Sequence, residues 1–475
     1  MSNSKHPFRL AVIGGGISGL AAAHRIVELY PQAELTLFES SHRLGGALHT
    51  YRTQGYLIER GADSFITNVP WASDLCDRVG CSDQLLATSP HHRGVYVVRR
   101  GKLVKLPDGF QMLAPSKMWP VLTSNALSCC SKLRLLCEPF VPRHTGPEES
   151  LEEFATRRLG RKTFEQLVEP LAAGIYTGDA RKLSAAATMP QFVEMEKTWG
   201  SLSRGMKKRP NEYRDNTSSG ARYSLFVTLR DGMQNLATAI ADRLPQQSVR
   251  LGTPVRRIQR QADGCWKIEH DASETGESFM GVILAVGAPQ AALMVESTTT
   301  PLSQELQKVE VASAVSVALG YRREQFRRPL DCFGLVVPRV ERRRILAASF
   351  PSIKYPDRAP DNCVLIRVFL GGVLQPSWAD QDDDVLTKVA REELAELLHI
   401  QGPPVLQDIV RWHGSMPQYH VGHLATVGRI EQYLQQLPGL QLAGNAYHGV
   451  GIPAAIHSGE QAAEKLLHDD LSQHD

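Results

Sequence analysis

The sequence predicts an α/β protein, α+β overall, organised around a strand–turn–helix–strand unit near its N-terminus. Two short apolar runs, Leu10 to Ile13 and Leu35 to Phe38, are typical of buried parallel strands. Residues 17–29 between them have the composition of a helix with Ala and Leu on its inner face, and a G-x-G-x-x-G turn begins at Gly14. Strand, glycine turn, helix and second strand in this order predict a Rossmann-like dinucleotide-binding unit.

Each glycine of the turn has its own task in such a unit. Gly14 makes the tight turn, Gly16 lets the backbone approach a pyrophosphate, and Gly19 lets the helix pack closely against the sheet. Glu39 follows the second strand, where a carboxylate can accept hydrogen bonds from ribose hydroxyls while the helix N-terminus binds the diphosphate. The other predicted contacts of this turn are Gly15, Ile17 and Ser18. A glycine-rich turn without a ligand is the competing interpretation.

Composition narrows the class of protein. At 475 residues the chain is too long for one compact core, so we expect two or three domains. The net charge of +3 gives no argument for a nucleic-acid partner. The 8 cysteines have no C-x-x-C spacing, so we predict no metal site and no disulfide framework, and expect reduced thiols in a cytoplasm. We recognise no targeting segment before the first strand and no run of about 18 apolar residues that would span a bilayer.

A second glycine pair follows the acidic residue, with Arg43 just before Gly45 and Gly46. This run resembles the motif of a large flavoprotein group that includes amine oxidases, phytoene desaturases and protoporphyrinogen oxidases. The resemblance implies an FAD-binding domain of the amine-oxidase type, in which the arginine and the glycines continue the wall around the FAD diphosphate. Backbone without Cβ approaches phosphate closely, and a guanidinium offers it several donors. A solvated arginine beside a surface turn is the alternative.

Residues 55–65 predict a strand that ends in a glycine turn. This segment resembles the part of the family that passes beside the isoalloxazine ring, although the family's usual form has a glycine–proline pair here. The resemblance implies flavin contacts at Gly61, Ala62, Asp63 and Ser64. A plain turn at the end of a strand is the alternative interpretation.

The most specific stretch of the chain combines Glu169-Pro170, the glycine turn from Gly174 to Asp179, a Leu-Ser pair and a later Gly-Ser-Leu run at residues 200–202. In this order the residues resemble the signature of protoporphyrinogen and coproporphyrinogen oxidases. The resemblance implies that a flat tetrapyrrole slides past the backbone of Gly174. A glycine required only for a positive φ angle is the alternative.

The C-terminal half also resembles the family. The backbone of Val255 is implied to meet the adenine edge, and Trp412 is implied to stand beside the flavin. Further flavin contacts are implied before the helix that Pro453 opens, at Val450, Gly451 and Ile452. A helix N-terminus there would stabilise the reduced flavin and raise its potential. No cysteine lies in this stretch, which favours non-covalent FAD.

Substrate contacts follow from the same resemblance. Phe333, Val336 and Phe369 lie on predicted strands and are implied to touch the macrocycle, although core packing explains apolar strand residues equally well. Arg93 aligns with a family arginine that contacts a propionate of the substrate. Such a contact is favourable because a guanidinium can bind a carboxylate through two parallel hydrogen bonds. An arginine on a strand surface is the alternative.

The resemblance implies an oxygen-using, six-electron oxidation of a porphyrinogen to a porphyrin with release of hydrogen peroxide. Protoporphyrinogen carries two propionates and coproporphyrinogen four, and the sequence leaves both substrates open. No catalytic base is predicted, because aromatisation drives the reaction. An amine oxidase or carotenoid desaturase on the same scaffold and a non-catalytic escort protein are the alternatives. The signature around Gly174 argues against the first, and the intact glycine turn argues against the second.

Three separated segments are predicted to fold together as the FAD-binding domain: 1–85, 238–295 and 408–475. Segments 86–107, 190–237 and 296–407 are predicted to form a mixed-sheet substrate domain, and 108–189 an inserted helical domain. The helical domain fits either peripheral contact with the cytoplasmic face of a membrane or an ordinary core bundle. Residues 209–221 predict a polar, mobile loop. Hand-over of product to a ferrochelatase and a homodimer are further expectations.

Overall fold

The computed structural model describes residues 8–208 and 226–471, so the predicted loop at 209–221 lies outside the described residues. The described strands, in chain order, are β1 Arg9–Ile13, β2 Glu34–Phe38, β3 Thr50–Thr53, β4 Tyr56–Glu59, β5 Phe65–Ile66, β6 Leu85–Ala87, β7 Tyr96–Arg99, β8 Lys102–Lys105, β9 Phe110–Gln111, β10 Ala114–Pro115, β11 Phe226–Leu229, β12 Val249–Arg250, β13 Val255–Arg260, β14 Trp266–His270, β15 Ser273–Phe279, β16 Gly281–Leu284, β17 Val311–Arg322, β18 Gly334–Val336, β19 Ala347–Ser349, β20 Cys363–Gly371, β21 Leu406–Pro417 and β22 Leu440–Leu442.

The described α-helices, in chain order, are α1 Ile17–Leu29, α2 Trp71–Val79, α3 Met118–Thr123, α4 Cys129–Leu136, α5 Leu151–Leu159, α6 Arg161–Thr163, α7 Glu169–Tyr176, α8 Ala185–Thr188, α9 Pro190–Trp199, α10 Leu202–Lys208, α11 Gln234–Ala241, α12 Ala288–Val295, α13 Thr300–Gln307, α14 Pro351–Lys354, α15 Asp383–Leu398, α16 His423–Leu434 and α17 Ile452–Leu471. No helix within 8–208 or 226–471 is long and apolar enough to cross a membrane.

A five-stranded parallel sheet with the order β12-β2-β1-β16-β22 confirms the predicted α/β unit. Strand β1 lies at its centre, with Ile13 opposite Phe38 on one side and Leu284 on the other. Both faces are covered, because Leu10 packs with helices α1, α11 and α17 while Ile13 packs towards the antiparallel strands β13 to β15. A parallel sheet buried on both faces explains why its strands read as continuous apolar runs.

A second, mixed sheet of seven strands has the order β21-β17-β20-β19-β18-β7-β8. Only the β18–β7 pair is parallel within this sheet, and the alternating run around Arg100 forms the β7–β8 hairpin. Helix α15 covers one face with an apolar core. The opposite face looks towards the helical region and towards the segment that follows β4.

The helical region consists of helices α3 to α10, and its apolar side chains form one core with residues of the seven-stranded sheet. Phe154, Phe192 and Met206 from this region share that core with Val97 and Val336 from strands β7 and β18. The helices therefore cover the same face of the sheet that carries the predicted substrate contacts.

Candidate active site

The glycine turn between β1 and α1 is shaped by two close contacts and one open side. Gly14 has a φ angle of +108°, and a Cβ on it would lie 2.4 Å from the carbonyl oxygen of Ala285. A Cβ on Gly19 would lie 1.8 Å from the carbonyl oxygen of Gly14. A Cβ on Gly16 would meet no protein atom within 4 Å. Gly14 and Gly19 are therefore required by the fold itself, whereas Gly16 keeps an open space beside the backbone.

The N-terminus of helix α1 faces this open side. Gly16 is the N-cap residue and supplies no side-chain acceptor, so the first backbone N–H groups, at Ile17 and Ser18, have no capping side chain. Glu39 lies beside the turn, where its carboxylate accepts the N–H groups of Gly15 and Ser41 at 2.7 Å each. Oε1 also accepts the hydroxyl of Ser40 at 3.4 Å, whereas Oε2 keeps a further lone pair and can still accept a hydroxyl.

Arg43 shapes the loop that carries the second glycine pair. Its guanidinium donates to the carbonyl oxygens of Leu44 at 3.2 Å, Leu48 at 3.3 Å and Gly46 at 2.5 Å. Burial lowers the pKa of this guanidinium. Arg43 thus holds the loop of the second glycine pair in place, and its contact with the FAD diphosphate stays a prediction.

A trough of backbone begins at the glycine turn and continues along Gly46 and Gly61. A Cβ on Gly46 would lie 3.1 Å from the Cα of Gly16, and a Cβ on Gly61 would lie 1.9 Å from the carbonyl oxygen of Ala47. The first turn, the second glycine pair and the turn at Gly61 are therefore in direct contact, in that order. Such a row of close backbone contacts suits an extended dinucleotide, with its far end beside Asp63.

Side chains of the seven-stranded sheet hold the far end of the trough. Asp408 forms a bidentate ion pair with Arg60 at 2.5 and 3.0 Å. The indole N–H of Trp412 donates to the carbonyl of Arg60 at 2.9 Å, and Arg367 donates to the carbonyl of Gly61 at 2.7 Å. The sheet thereby fixes the position of the segment that was predicted to contact the flavin ring.

The register of this sheet brings the predicted substrate residues onto the same face. Val336 lies opposite Ala347, and Ala347 lies opposite Phe369, so the three form a row across strands β18, β19 and β20. Arg367 stands two residues before Phe369 on the same strand and so shares its face. Phe333 and the partly buried Val450 pack into the same apolar cluster.

Gly174 lies inside helix α7 and has no positive φ angle, so the alternative of a glycine required by backbone conformation is wrong. A Cβ at this position would meet no protein atom within 4 Å. By contrast, a Cβ on Gly178 would lie 2.4 Å from Oε1 of Gln418. Gly174 therefore borders open space, and Gly178 is needed for packing.

Arg93 lies next to this apolar cluster. Its Nε–H donates to the carbonyl oxygen of Ser89 at 3.2 Å. The carbonyl oxygen of the following residue, Gly94, accepts the N–H of Phe333 at 2.9 Å. Arg93 thus stands beside one of the predicted macrocycle contacts.

The remaining predicted contacts lie at the two ends of the trough. Val255 opens strand β13 close to Glu39, since the N–H of Thr253 donates to the Glu39 carbonyl at 2.9 Å. Gly451 precedes helix α17, which packs against α1 so tightly that a Cβ on Gly459 would lie 2.1 Å from the Ser18 carbonyl. Ile452, the first residue of that helix, is buried in the core that helices α1, α11 and α17 form with the five-stranded sheet.

Sequence reasoning missed the charged residues that hold residues 60–64. Arg367 stands in the apolar run from Val364 to Phe369, and a single charge in a buried strand is a signal that could have identified it. Lys354 and Asp408 carry no such local signal. Their importance depends on contacts with residues about 290 or more positions away in the chain.

Residues 17–467 match the family described as flavin containing amine oxidoreductase. The chain belongs to this family. It is 33% identical to coproporphyrinogen III oxidase from Bacillus subtilis (strain 168), an alignment that covers 98% of this chain and 99% of the relative. It is 28% identical to the mitochondrial protoporphyrinogen oxidase of Nicotiana tabacum, covering 97% of this chain and 94% of the relative. The resemblance to porphyrinogen oxidases predicted from the sequence is confirmed.

A solved structure from Exiguobacterium sp. 255-15, provisionally assigned as a protoporphyrinogen oxidase, has a TM-score of 0.84 and 29% identity, and covers 98% of this chain and 99% of that chain. The protein is thus an oxidoreductase with a flavin cofactor. The open side of Gly16, the uncapped helix N-terminus and the continuous backbone trough fit a flavin nucleotide.

Proposed function

We propose that this protein is an FAD-dependent porphyrinogen oxidase that works with molecular oxygen. The observation that carries the proposal is the row of Val336, Ala347 and Phe369, which shares one sheet face with Arg367 and so lies beside the ring end of the trough. This arrangement gives a flat apolar floor for a macrocycle. The names of the relatives support the same substrate class.

The bound flavin would accept hydride from a bridging carbon of the porphyrinogen and pass the electrons to oxygen, giving hydrogen peroxide. The protein's own residues bind and orient the substrate. Phe369 and Val336 supply apolar contact, and Gly174 leaves room for the ring edge. We assign no strong base, since loss of a pyrrole proton is driven by aromatisation of the substrate. FAD binding is non-covalent in this proposal, because no cysteine lies between residues 408 and 475.

We propose coproporphyrinogen III as the preferred substrate. Cationic side chains stand at both ends of strand β18: Arg93 beside Phe333, and Arg339 after Pro338. Arg339 follows Phe333 by six residues, a length that spans about 20 Å of extended chain. Positive charge therefore lies on two sides of the apolar row. A substrate with carboxylates on several edges suits this arrangement better than one with both carboxylates on one edge. The higher identity to the Bacillus coproporphyrinogen oxidase supports the same choice.

The test is anaerobic mixing of the flavin-loaded protein with coproporphyrinogen III and, separately, protoporphyrinogen IX. We expect the flavin absorption to bleach with both, faster with coproporphyrinogen, and porphyrin fluorescence to appear when air is admitted. No bleaching with either compound in protein that holds flavin would overturn the proposed reaction. Faster bleaching with protoporphyrinogen would overturn only the substrate preference.

Replacing Arg93 should weaken substrate binding without affecting the cofactor. A guanidinium–carboxylate hydrogen bond contributes about 1.5–3 kcal/mol, so we expect Arg93→Ala to raise KM by roughly 10- to 100-fold. Steady-state kinetics and the flavin-to-protein ratio measure the two effects. Arg100→Ala, at the exposed tip of the neighbouring hairpin, is the control. Equal KM values for the Arg93 variant and the wild type would remove Arg93 from the site.

Alanine at Gly174 and at Gly178 should have opposite effects on stability. At Gly174 the methyl group meets open space within a helix, so we expect Gly174→Ala to raise the free energy of unfolding by about 0.5–1 kcal/mol and to raise KM. At Gly178 it meets Gln418, so we expect a loss of about 1–3 kcal/mol. Denaturant unfolding and steady-state kinetics distinguish the two outcomes. An unchanged KM in a stable Gly174→Ala protein would contradict the role of Gly174 in the substrate cavity.

We also propose that the helical region contacts a membrane surface. Its helices α3 and α4 and the turn that follows them expose large apolar side chains, with Trp119 75%, Leu133 64% and Phe140 81% exposed. Lys117 and Lys132 stand in the same segments and could meet anionic headgroups. We expect Trp119→Ser with Phe140→Ser to reduce co-sedimentation with anionic vesicles, and equal sedimentation would contradict this contact. A cytoplasmic location, hand-over to a ferrochelatase and a homodimer stay predictions.

A further inference from the structure

At the ring end of the trough lies a cluster of five charged residues, four of them buried and Asp63 half-buried, here called the charge cluster. Glu59 and Asp63 come from strand β4 and the turn after it, Lys354 and Arg358 from helix α14 and the segment after it, and Arg367 from β20. Glu59 is 3% exposed, Arg358 2%, Arg367 3% and Lys354 9%. None of these side chains is fully available to water, so their charges interact strongly.

The contacts within the charge cluster are specific. Lys354 Nζ lies 3.2 Å from Asp63 Oδ2 and 3.1 Å from the hydroxyl oxygen of Ser64. Burial alone would raise the pKa of Asp63, but the charges of Lys354 and Arg367 outweigh it and lower the pKa to about 2. Asp63 is therefore ionised at every pH at which the protein would work.

The charge cluster is not neutral. It holds three cations and two carboxylates, a formal excess of one positive charge, and the neighbouring pair of Arg60 and Asp408 adds no net charge. Arg358 is satisfied by the carbonyl oxygens of Leu229 and Arg230. The buried Nε–H of Arg367, by contrast, has no hydrogen-bond partner among the described residues. A buried, uncompensated positive charge is unfavourable unless an anion comes to it.

The expected anion is the reduced cofactor. Hydride transfer adds two electrons and one proton to the flavin, so the ring gains one negative charge until a second proton arrives. The trough ends at Gly61 and Asp63. Arg367 donates a hydrogen bond to the carbonyl oxygen of Gly61, and Lys354 forms an ion pair with Asp63. We propose that Lys354 and Arg367 raise the reduction potential of the bound flavin by stabilising the negative charge of its reduced form, with Asp63 limiting that effect.

The proposal makes predictions of opposite sign. Lys354→Met removes a positive charge and should shift the midpoint potential of the bound flavin downwards. Asp63→Asn removes a negative charge and should shift it upwards. Lys354→Arg keeps the charge and should leave the potential close to the wild-type value. A purely structural role would move the Lys354→Met and Asp63→Asn variants in the same direction, because both break the same ion pair.

The measurement is reductive titration of the flavin-loaded protein against a dye of known potential, with no porphyrinogen present. It depends on flavin binding and not on the proposed substrate, so its failure is distinct from a failure of the proposed reaction. Lys388→Met is the matched control, because Lys388 is exposed on helix α15, which covers the opposite face of the seven-stranded sheet. If Lys354→Met folds poorly, the direction of the potential shift in Asp63→Asn tests the proposal by itself. Unchanged potentials, or shifts of one sign, would overturn the inference.

Discussion

Gly16→Ala should leave the fold as stable as the wild type and remove most of the bound flavin. The added methyl group meets no protein atom within 4 Å, and Gly16 has a φ angle of −71° that alanine adopts without strain. The space it fills is the one that the uncapped N-terminus of helix α1 faces, where the diphosphate is expected. Steric overlap there costs about 1–3 kcal/mol, so we expect flavin affinity to fall by roughly 5- to 150-fold.

Calorimetric titration of the apoprotein with FAD measures this loss, and denaturant unfolding of the apoprotein measures stability. Gly19→Ala is the contrasting variant, since its Cβ would lie 1.8 Å from the carbonyl oxygen of Gly14. We expect it to destabilise the apoprotein itself. Wild-type flavin affinity in Gly16→Ala would show that the dinucleotide does not approach this side of the turn.

The second large effect is expected at Glu138, which anchors the helical region. Glu138 is 1% exposed and pairs with Arg158, which is 0% exposed, at 2.8 Å. The same carboxylate accepts the hydroxyl of Ser201 at 2.7 Å and the N–H of Leu202 at 2.9 Å. The Gly-Ser-Leu run recognised in the sequence is thus a structural anchor that closes helix α10 onto a buried ion pair.

Removing the charge of Glu138 would leave the buried Arg158 with only a longer ion pair, to Glu196 at 3.6 Å. We therefore expect Glu138→Gln to reduce the free energy of unfolding by about 3 kcal/mol or more, with flavin affinity largely kept. Denaturant unfolding followed by tryptophan fluorescence measures this change. Glu165→Gln is the control, because Glu165 pairs with the 59% exposed Arg161 and such surface pairs contribute well under about 1 kcal/mol. Equal stabilities of the two variants would contradict the anchoring role.

Local sequence determined the dinucleotide-binding unit. Helix α1 covers residues 17–29 in both the prediction and the structure, because apolar periodicity and the flanking glycines act within a few turns of chain. The β7–β8 hairpin is also a local structure, since alternation and a turn residue specify it. The positions of the glycines were enough to predict the tight turn at Gly14 and the close packing at Gly19, and the resemblance carried by the Gly174 region was enough to identify the relatives.

Only the tertiary structure decided what surrounds the predicted ring contacts. Lys354 reaches Asp63, and Arg367 reaches Gly61, across about 290 or more positions of sequence, and no local pattern encodes such a pairing. The tertiary structure also showed that Arg43 donates to loop carbonyls and that Gly174 needs no unusual backbone conformation. Sequence patterns report on neighbours along the chain, whereas the charge balance around a cofactor depends on which buried side chains folding brings together.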